Sequence, residues 1–210
     1  MKRLLILAAT CMLTAACGWF SSEKHTFEPD YTYFPMCLDE SDSTIVFVNI
    51  ENGNKESKYY KGAYPFYNDY ALVYEGDGWT FIDKDFEYLI HKHFLDATHF
   101  SDGISLTVRS NEYIKAIDTK GNLVFEAPFA KEMIAFNEGY AVFKDVNDKY
   151  GVVDTKGNIV IQPKYTNMGH FVMNDRLTVK QYDEKDEESR WGVINMKGEI
   201  IIPCKFKLNN

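Results

Sequence analysis

Tyr150-Gly-Val-Val-Asp-Thr-Lys-Gly-Asn-Ile-Val-Ile-Gln-Pro-Lys-Tyr165 is echoed by Trp191-Gly-Val-Ile-Asn-Met-Lys-Gly-Glu-Ile-Ile-Ile-Pro-Cys-Lys-Phe206. Each stretch holds two short β-branched runs around an Asx-x-Lys-Gly turn. The Asx side chain can accept a backbone hydrogen bond, and glycine tolerates the left-handed dihedrals of a bulged hairpin exit. Each stretch therefore reads as a hairpin. Following the Asx anchor upstream gives Asn49, Asp83, Asp118, Asp154 and Asn195, with steps of 34, 35, 36 and 41 residues. A period of this size is the mark of a repeat architecture.

Two further landmarks keep step with the anchor. Eleven residues after the last four anchors stand Phe94, Phe129, Tyr165 and Phe206, and the first copy has Tyr59 and Tyr60 nearby. A second aromatic, at Phe66, Phe100, Phe136 and Phe171, opens segments such as Phe100-Ser-Asp-Gly-Ile-Ser-Leu-Thr-Val108, whose Asp-Gly or Glu-Gly pair predicts another turn and strand. One unit is thus about three short antiparallel strands. No window carries a 3.6-residue apolar stripe, and Phe129–Phe136 could form at most one helical turn. The expected fold is all-β: about five three-stranded repeats stacked as an open, β-solenoid-like array, with a closed propeller-like ring as the alternative. One three-stranded piece buries too little to stand alone, so neighbouring units must share a core. The 14 tyrosines and 15 phenylalanines supply its volume.

On these residues the chain resembles the WG repeat proteins, whose units carry Trp-Gly-Val-Ile-Asp, x-x-Gly, Ile-Val-Ile-Pro-x-x-Tyr and Phe-x-Glu-Gly-x-Ala-x-Val. Residues 191–206 match best; Tyr150 replaces Trp in the copy before, Trp79-Thr-Phe-Ile-Asp83 lacks glycine at both motif positions, and the third copy reads Tyr113-Ile-Lys-Ala-Ile-Asp118. The resemblance implies a β-repeat module over residues 44 to 206, often found in bacterial envelope proteins and with no general catalytic activity. Outer copies of an array tend to degenerate, which fits the weak first unit.

The chain opens with Met1-Lys-Arg, ten residues Leu4–Leu13 that are mostly apolar, and Thr14-Ala-Ala-Cys17. This is the layout of a secretory signal, too short to span a bilayer. It also resembles the lipobox of bacterial lipoproteins: Ala15, Ala16 and Cys17 fill the last three places, while Thr14 stands where leucine is usual. The resemblance implies acylation of Cys17, with more than one chain and hence stable anchoring. Gly18 in place of aspartate favours the outer membrane of a bacterial cell envelope. The expected organisation is a signal at 1–16, a lipidated tether at 17–34 and a β-domain at 35–210.

The chain carries a net charge of −8, and removing Lys2 and Arg3 with the signal leaves 21 basic against 31 acidic residues. That balance excludes nucleic acid as a partner. Tyr182-Asp-Glu-Lys-Asp-Glu-Glu-Ser-Arg190 accounts for the long last step and reads as an enlarged, solvated loop. Cys37 and Cys204 can form a disulfide in an oxidising compartment if the array brings them together; otherwise they are two thiols. His91 and His93 share a strand face, with His99 six residues on, but nothing supplies a fixed fourth zinc ligand. His99 and His170 each precede a recurring aromatic, which suggests a shared packing position. No catalytic, cofactor or metal site is expected. Six aromatics crowd Tyr59–Tyr70, and Tyr64, Tyr67 and Tyr70 are the candidate binding surface. The function expected is a non-catalytic protein-binding or scaffolding module. A glycan-binding module and a hydrolase with an unrecognised site are the alternatives, and the partner is an envelope protein or glycan beside the membrane itself.

Overall fold

The computed structural model describes residues 29–30, 32–39, 44–110, 112–185 and 187–207. The signal at 1–16, Cys17 and the tether as far as residue 28 lie outside the described residues. The described chain contains strands and no helix, and it forms two compact units that meet in sequence between Phe94 and Leu95. The unit ending at Phe94 holds β1 (Pro29–Asp30), β2 (Tyr33–Asp39), β3 (Thr44–Asn49), β4 (Gly62–Ala63), β5 (Phe66–Tyr67), β6 (Ala71–Tyr74) and β7 (Trp79–Ile82). The unit from Leu95 holds β8 (Asp96–Ala97), β9 (Ile104–Val108), β10 (Ile114–Asp118), β11 (Leu123–Ala127), β12 (Glu132–Met133) and β13 (Tyr140–Lys144). It continues with β14 (Tyr150–Asp154), β15 (Ile159–Tyr165), β16 (Asn167–Met168), β17 (Arg176–Asp183), β18 (Glu188–Asn195) and β19 (Ile200–Phe206).

Every described ladder is antiparallel: β8 to β11, β12 to β15 and β16 to β19 are four-stranded sheets in chain order, β4, β6 and β7 form a three-stranded sheet, and β2 pairs with β3 and β1 with β5. The three-stranded repeat expected from sequence thus gains a fourth, two-residue strand in three copies. One such strand, β12, occupies the stretch that could have made a helical turn.

The anchors act as their chemistry predicts. Asp83, Asp118, Asp154 and Asn195 each use Oδ1 to accept two backbone N–H bonds, from the residues two and four further on, at 2.8 to 3.1 Å. Gly121, Gly157 and Gly198 then take positive φ and donate to the anchor carbonyl. In the second copy Phe86 occupies the glycine place at φ 61. Its ring packs on Tyr33, Phe47 and Phe66, an aromatic cluster that offsets the cost of a left-handed residue.

The other recurring turn is of type I′. Asn68-Asp69, Asp102-Gly103, Glu138-Gly139 and Asn174-Asp175 all have positive φ at both positions, and the flanking residues exchange backbone bonds. This frame corrects one landmark. The residue two before the turn is Phe66, Phe100 or Phe136, all buried, but in the last copy it is Val172, and Phe171 is 54% exposed. His99 consequently corresponds to Phe171 and not to His170, so the two histidines share no position.

The Trp-Gly pair has a steric cause. Tyr150 pairs with Tyr165 and Val152 with Ile161, so β15 bulges across β14 between those pairs; Trp191, Phe206, Val193 and Ile202 repeat the arrangement. Pro163 and Pro203 fall in the bulges, where a missing N–H costs nothing. The bulging strand brings a carbonyl against the glycine: a Cβ on Gly151 would lie 2.7 Å from the Ile161 oxygen, and one on Gly192 would lie 2.5 Å from the Ile202 oxygen. The second copy has Thr80 there, and its hydroxyl donates to the corresponding carbonyl, that of Ile90, at 3.0 Å. In the third copy β10 and β11 pair without that bulge and Lys115 is accommodated.

Successive sheets pack face on face. Ala141, Phe143 and Val153 of the β12–β15 sheet cluster with Leu106, Ala116, Phe125 and Phe129 of the sheet before it. Its other face, with Val142, Val152, Ile161 and Tyr165, clusters with Leu177, Val179 and Ile194 of the sheet after it. In the unit ending at Phe94, Phe47 and Tyr60 pack on Ala71, Val73 and Ile82 in the same way.

Gly192→Ala should destabilise the chain by about 2 kcal/mol or more, because the overlap is with backbone atoms, whereas Thr80→Ser should stay close to wild type; chemical denaturation checks both. The Tyr60 ring fills the place of Phe94, yet its hydroxyl is buried without a hydrogen-bond partner. Tyr60→Phe should therefore raise stability by about 1 kcal/mol, read as a higher denaturation midpoint at unchanged slope.

Candidate functional site

The unit ending at Phe94 gathers five polar side chains from three stretches of sequence. Glu75 and Asp77 stand on the tight turn between β6 and β7, closed by the Glu75 N–H donating to the Gly78 carbonyl at 3.2 Å. Lys58 pairs with Glu75 at 2.6 Å, and the Tyr88 hydroxyl donates to the same carboxylate oxygen at 2.6 Å. Lys58 also bonds the Tyr88 hydroxyl and lies 4.4 Å from the centre of its ring. His93 bridges two carboxylates, with Nδ1 2.8 Å from Asp77 and Nε2 3.1 Å from Glu75. Burial acts against the charge of Glu75, but the bonds from Lys58, Tyr88 and His93 together outweigh it and hold the carboxyl below its usual range. Burial likewise opposes the Lys58 charge, and Glu75 and Tyr88 overcome it, leaving the ammonium above the ordinary lysine range. Burial pushes the neighbouring Tyr60 phenol up to about 12.

Chemically this is a set of mutually satisfied ion pairs, and it joins the 58–60 segment, the β6–β7 turn and the 88–93 segment. Among the described residues no group of His, Cys, Asp and Glu is arranged to hold a metal ion. His91 is exposed and lies beside the Tyr88 ring, His93 is engaged by the carboxylates, and burial pushes the His99 imidazole down to about 4. His91 and His93 thus have separate partners, and His99 belongs to the other unit.

The tyrosine candidates belong largely to the frame. Tyr64 stacks on Trp79 with ring centres 5.3 Å apart. Tyr67 and Tyr70 flank the first type I′ turn, are half-buried and exchange backbone bonds, and Tyr67 also pairs with Pro29 through β1. The most exposed ring of the cluster is Tyr59, at 60%, with the Lys55 ammonium 3.5 Å from its centre. Cys37 lies exposed on β2 and Cys204 half-buried on β19, and both stand as thiols. The acidic stretch 182–190 extends the β17–β18 ladder to Tyr182↔Ser189 and Asp183↔Glu188, and Arg190 pairs with Asp183 and Glu188.

Sequence reasoning missed an apolar surface on the sheet β16 to β19. Phe171, Met173, Ile200 and Ile201 are 54%, 69%, 66% and 47% exposed. The turn after Met173 and the turn after Asn195 meet at one end of this sheet, where the Met196 N–H donates to the Asp175 carbonyl at 3.2 Å. The available signal was the loss of register at Phe171: counted from the Asn174-Asp175 turn, the ring falls on the wrong parity for the core.

Solved structures give distant likenesses. The computationally designed Ika8 protein is 17% identical over 76% of this chain and 55% of its own, with a TM-score of 0.47. BamB from Moraxella catarrhalis is 14% identical over 81% of this chain and 57% of its own, at 0.48, and the designed Ika4 protein is 16% identical over 62% and 88%, at 0.41. The chain spans somewhat over half the length of the first two. No curated protein sequence matches it. The WG containing repeat matches residues 79–113, 116–150, 150–185 and 191–207. Those stretches cover more than half of the chain and coincide with the hairpins, bulges and type I′ turns described above, and the protein belongs to the WG containing repeat family.

Proposed function

We propose that this chain is a non-catalytic, lipid-anchored protein of the bacterial cell envelope, whose WG repeat domain is a binding surface for another protein. The observation that carries the reading is the exposed apolar group Phe171, Met173, Ile200 and Ile201 at one end of the β16–β19 sheet. Large apolar side chains left exposed beside two rigid turns are what a protein contact would cover. The turns are fixed by the Asn195 side chain and by the paired positive-φ residues Asn174 and Asp175, so the patch is presented without an ordering cost. Acylated Cys17 would hold this surface beside the bilayer, in the outer membrane, and the acidic balance keeps anionic lipid headgroups and nucleic acid from competing for it. Glycan stacking is less well served, because Tyr64 already faces Trp79 and Tyr67 and Tyr70 are built into a turn.

Two measurements test this. Cross-linked capture from intact envelopes should enrich a defined protein with the wild-type chain, and Met173→Asp should reduce that enrichment about tenfold or more, the size of effect expected at the centre of an interface. Equal capture by wild type and Met173→Asp would overturn the surface assignment. The mass of the mature chain should show diacylglycerol and N-acyl additions at Cys17, absent in Cys17→Ala; an unmodified cysteine would remove the anchor from the proposal.

A further inference from the structure

The sheet β12 to β15 uses both faces, and the register of the ladders shows which residues take corresponding places in the other copies. On the face turned to the preceding sheet, Ala71 and Val73 in one copy correspond to Ala141 and Phe143 in another, and all four are at most 1% exposed. The corresponding residues of β2, by their pairing with Val48 and Val46, are Phe34 and Met36, which are 45% and 46% exposed. On the opposite face, Tyr60, Phe94 and Tyr165 are 2%, 6% and 3% exposed, whereas their counterpart Phe206 is 52% exposed. Position for position, these two exposed faces are the two halves of the contact that the chain already makes between its own sheets.

We infer that a second copy of this chain covers them: the Phe34/Met36 face of one molecule docks on the Phe206 face of another, head to tail. Two observations favour this occupant. The contact continues a packing mode built into each unit, in which the face bearing Ala141 and Phe143 lies on the face bearing Leu106 and Ala116. The two faces are different surfaces, so the association is heterologous and can extend beyond a dimer. The Phe206 face also carries Arg176 and Lys180 on β17, which alternate with Thr178, and Trp191 and Val193 on β18 beside them. Thr178 and His170 stand where the preceding copy has Val142 and Ile134, so the face is only partly apolar, and the association is reversible.

Sedimentation of the full chain carrying Cys17→Ala, so that acylation does not contribute, tests the inference. The sedimentation coefficient should rise with concentration. Met36→Glu and Phe206→Glu should each abolish it without changing the circular dichroism spectrum, since both positions are exposed. An equimolar mixture of the two variants should recover association but stop at the 1:1 dimer, because each variant retains one intact face. A Cys17→Ala chain that stays monomeric at about 0.1 mM, where a micromolar contact would be saturated, overturns the inference. So does association that survives either single variant, which would place the contact elsewhere or make it symmetric. None of these outcomes depends on Met173, so this inference and the proposed function fail separately.

Discussion

A carbonyl oxygen pressed against the α-carbon of a glycine shapes each of the later repeats. At Gly151 and Gly192 the approach of the Ile161 and Ile202 carbonyls leaves no room for a Cβ, and that approach lets the outer strand of the sheet bulge over its neighbour. The bulge carries Tyr165 and Phe206 back to pair with Tyr150 and Trp191. Without it the aromatic eleven residues after the anchor would not meet the residue four before it. In the last two copies the Trp-Gly pair and the distant Pro-x-x-aromatic are thus two ends of one steric arrangement. The second copy shows what substitutes for it: Thr80 meets the same carbonyl as a hydrogen-bond donor, and Trp79 still pairs with Phe94.

Local chemistry of this kind is what the sequence could disclose. The Asx anchors were legible because a side chain that takes two N–H bonds must sit at a fixed offset from the glycine that follows, and both residues are close in sequence. The Asp-Gly and Glu-Gly turns were legible for the same reason, and Asn68-Asp69 and Asn174-Asp175 were not singled out because they reach the same dihedrals without glycine. The two-residue strands β8, β12 and β16 left no sequence signal: a pair of residues has no periodicity, and its place in a sheet is set by the neighbour it joins. Phe171 misled because an aromatic of the right type stood one residue from the place that Val172 occupies.

The polar cluster was beyond such reading. Lys58, Glu75, Asp77, Tyr88 and His93 belong to different parts of two repeat copies, and nothing in the period links a lysine after one anchor to a carboxylate before the next. Partly exposed ion pairs contribute little one at a time, but Glu75 joins Lys58, Tyr88 and His93 at once, and a shared acceptor holds three segments in one arrangement. Of these residues only His93 stood out in the sequence, as a zinc ligand without a fixed fourth partner.

Repetition also limits where specificity can reside. A face that recurs in every copy recognises the next copy of itself, so binding of anything else must come from departures from the pattern. If the Phe206 face matched the preceding copy in full, it would present Ile and Val where His170 and Thr178 now stand, and burying two such side chains is worth about 1.5 to 3 kcal/mol each. Self-association would then tighten by some orders of magnitude, and with two different faces engaged it would run on without closing. Replacing the two aliphatic groups by polar ones removes that driving force while leaving Val193, Ile202 and Phe206 in place, which is enough for a selective and reversible contact. The same departures free the adjacent turns: Phe171 and Met173 flank the one residue of that segment, Val172, that the core requires, and they are left to face outwards.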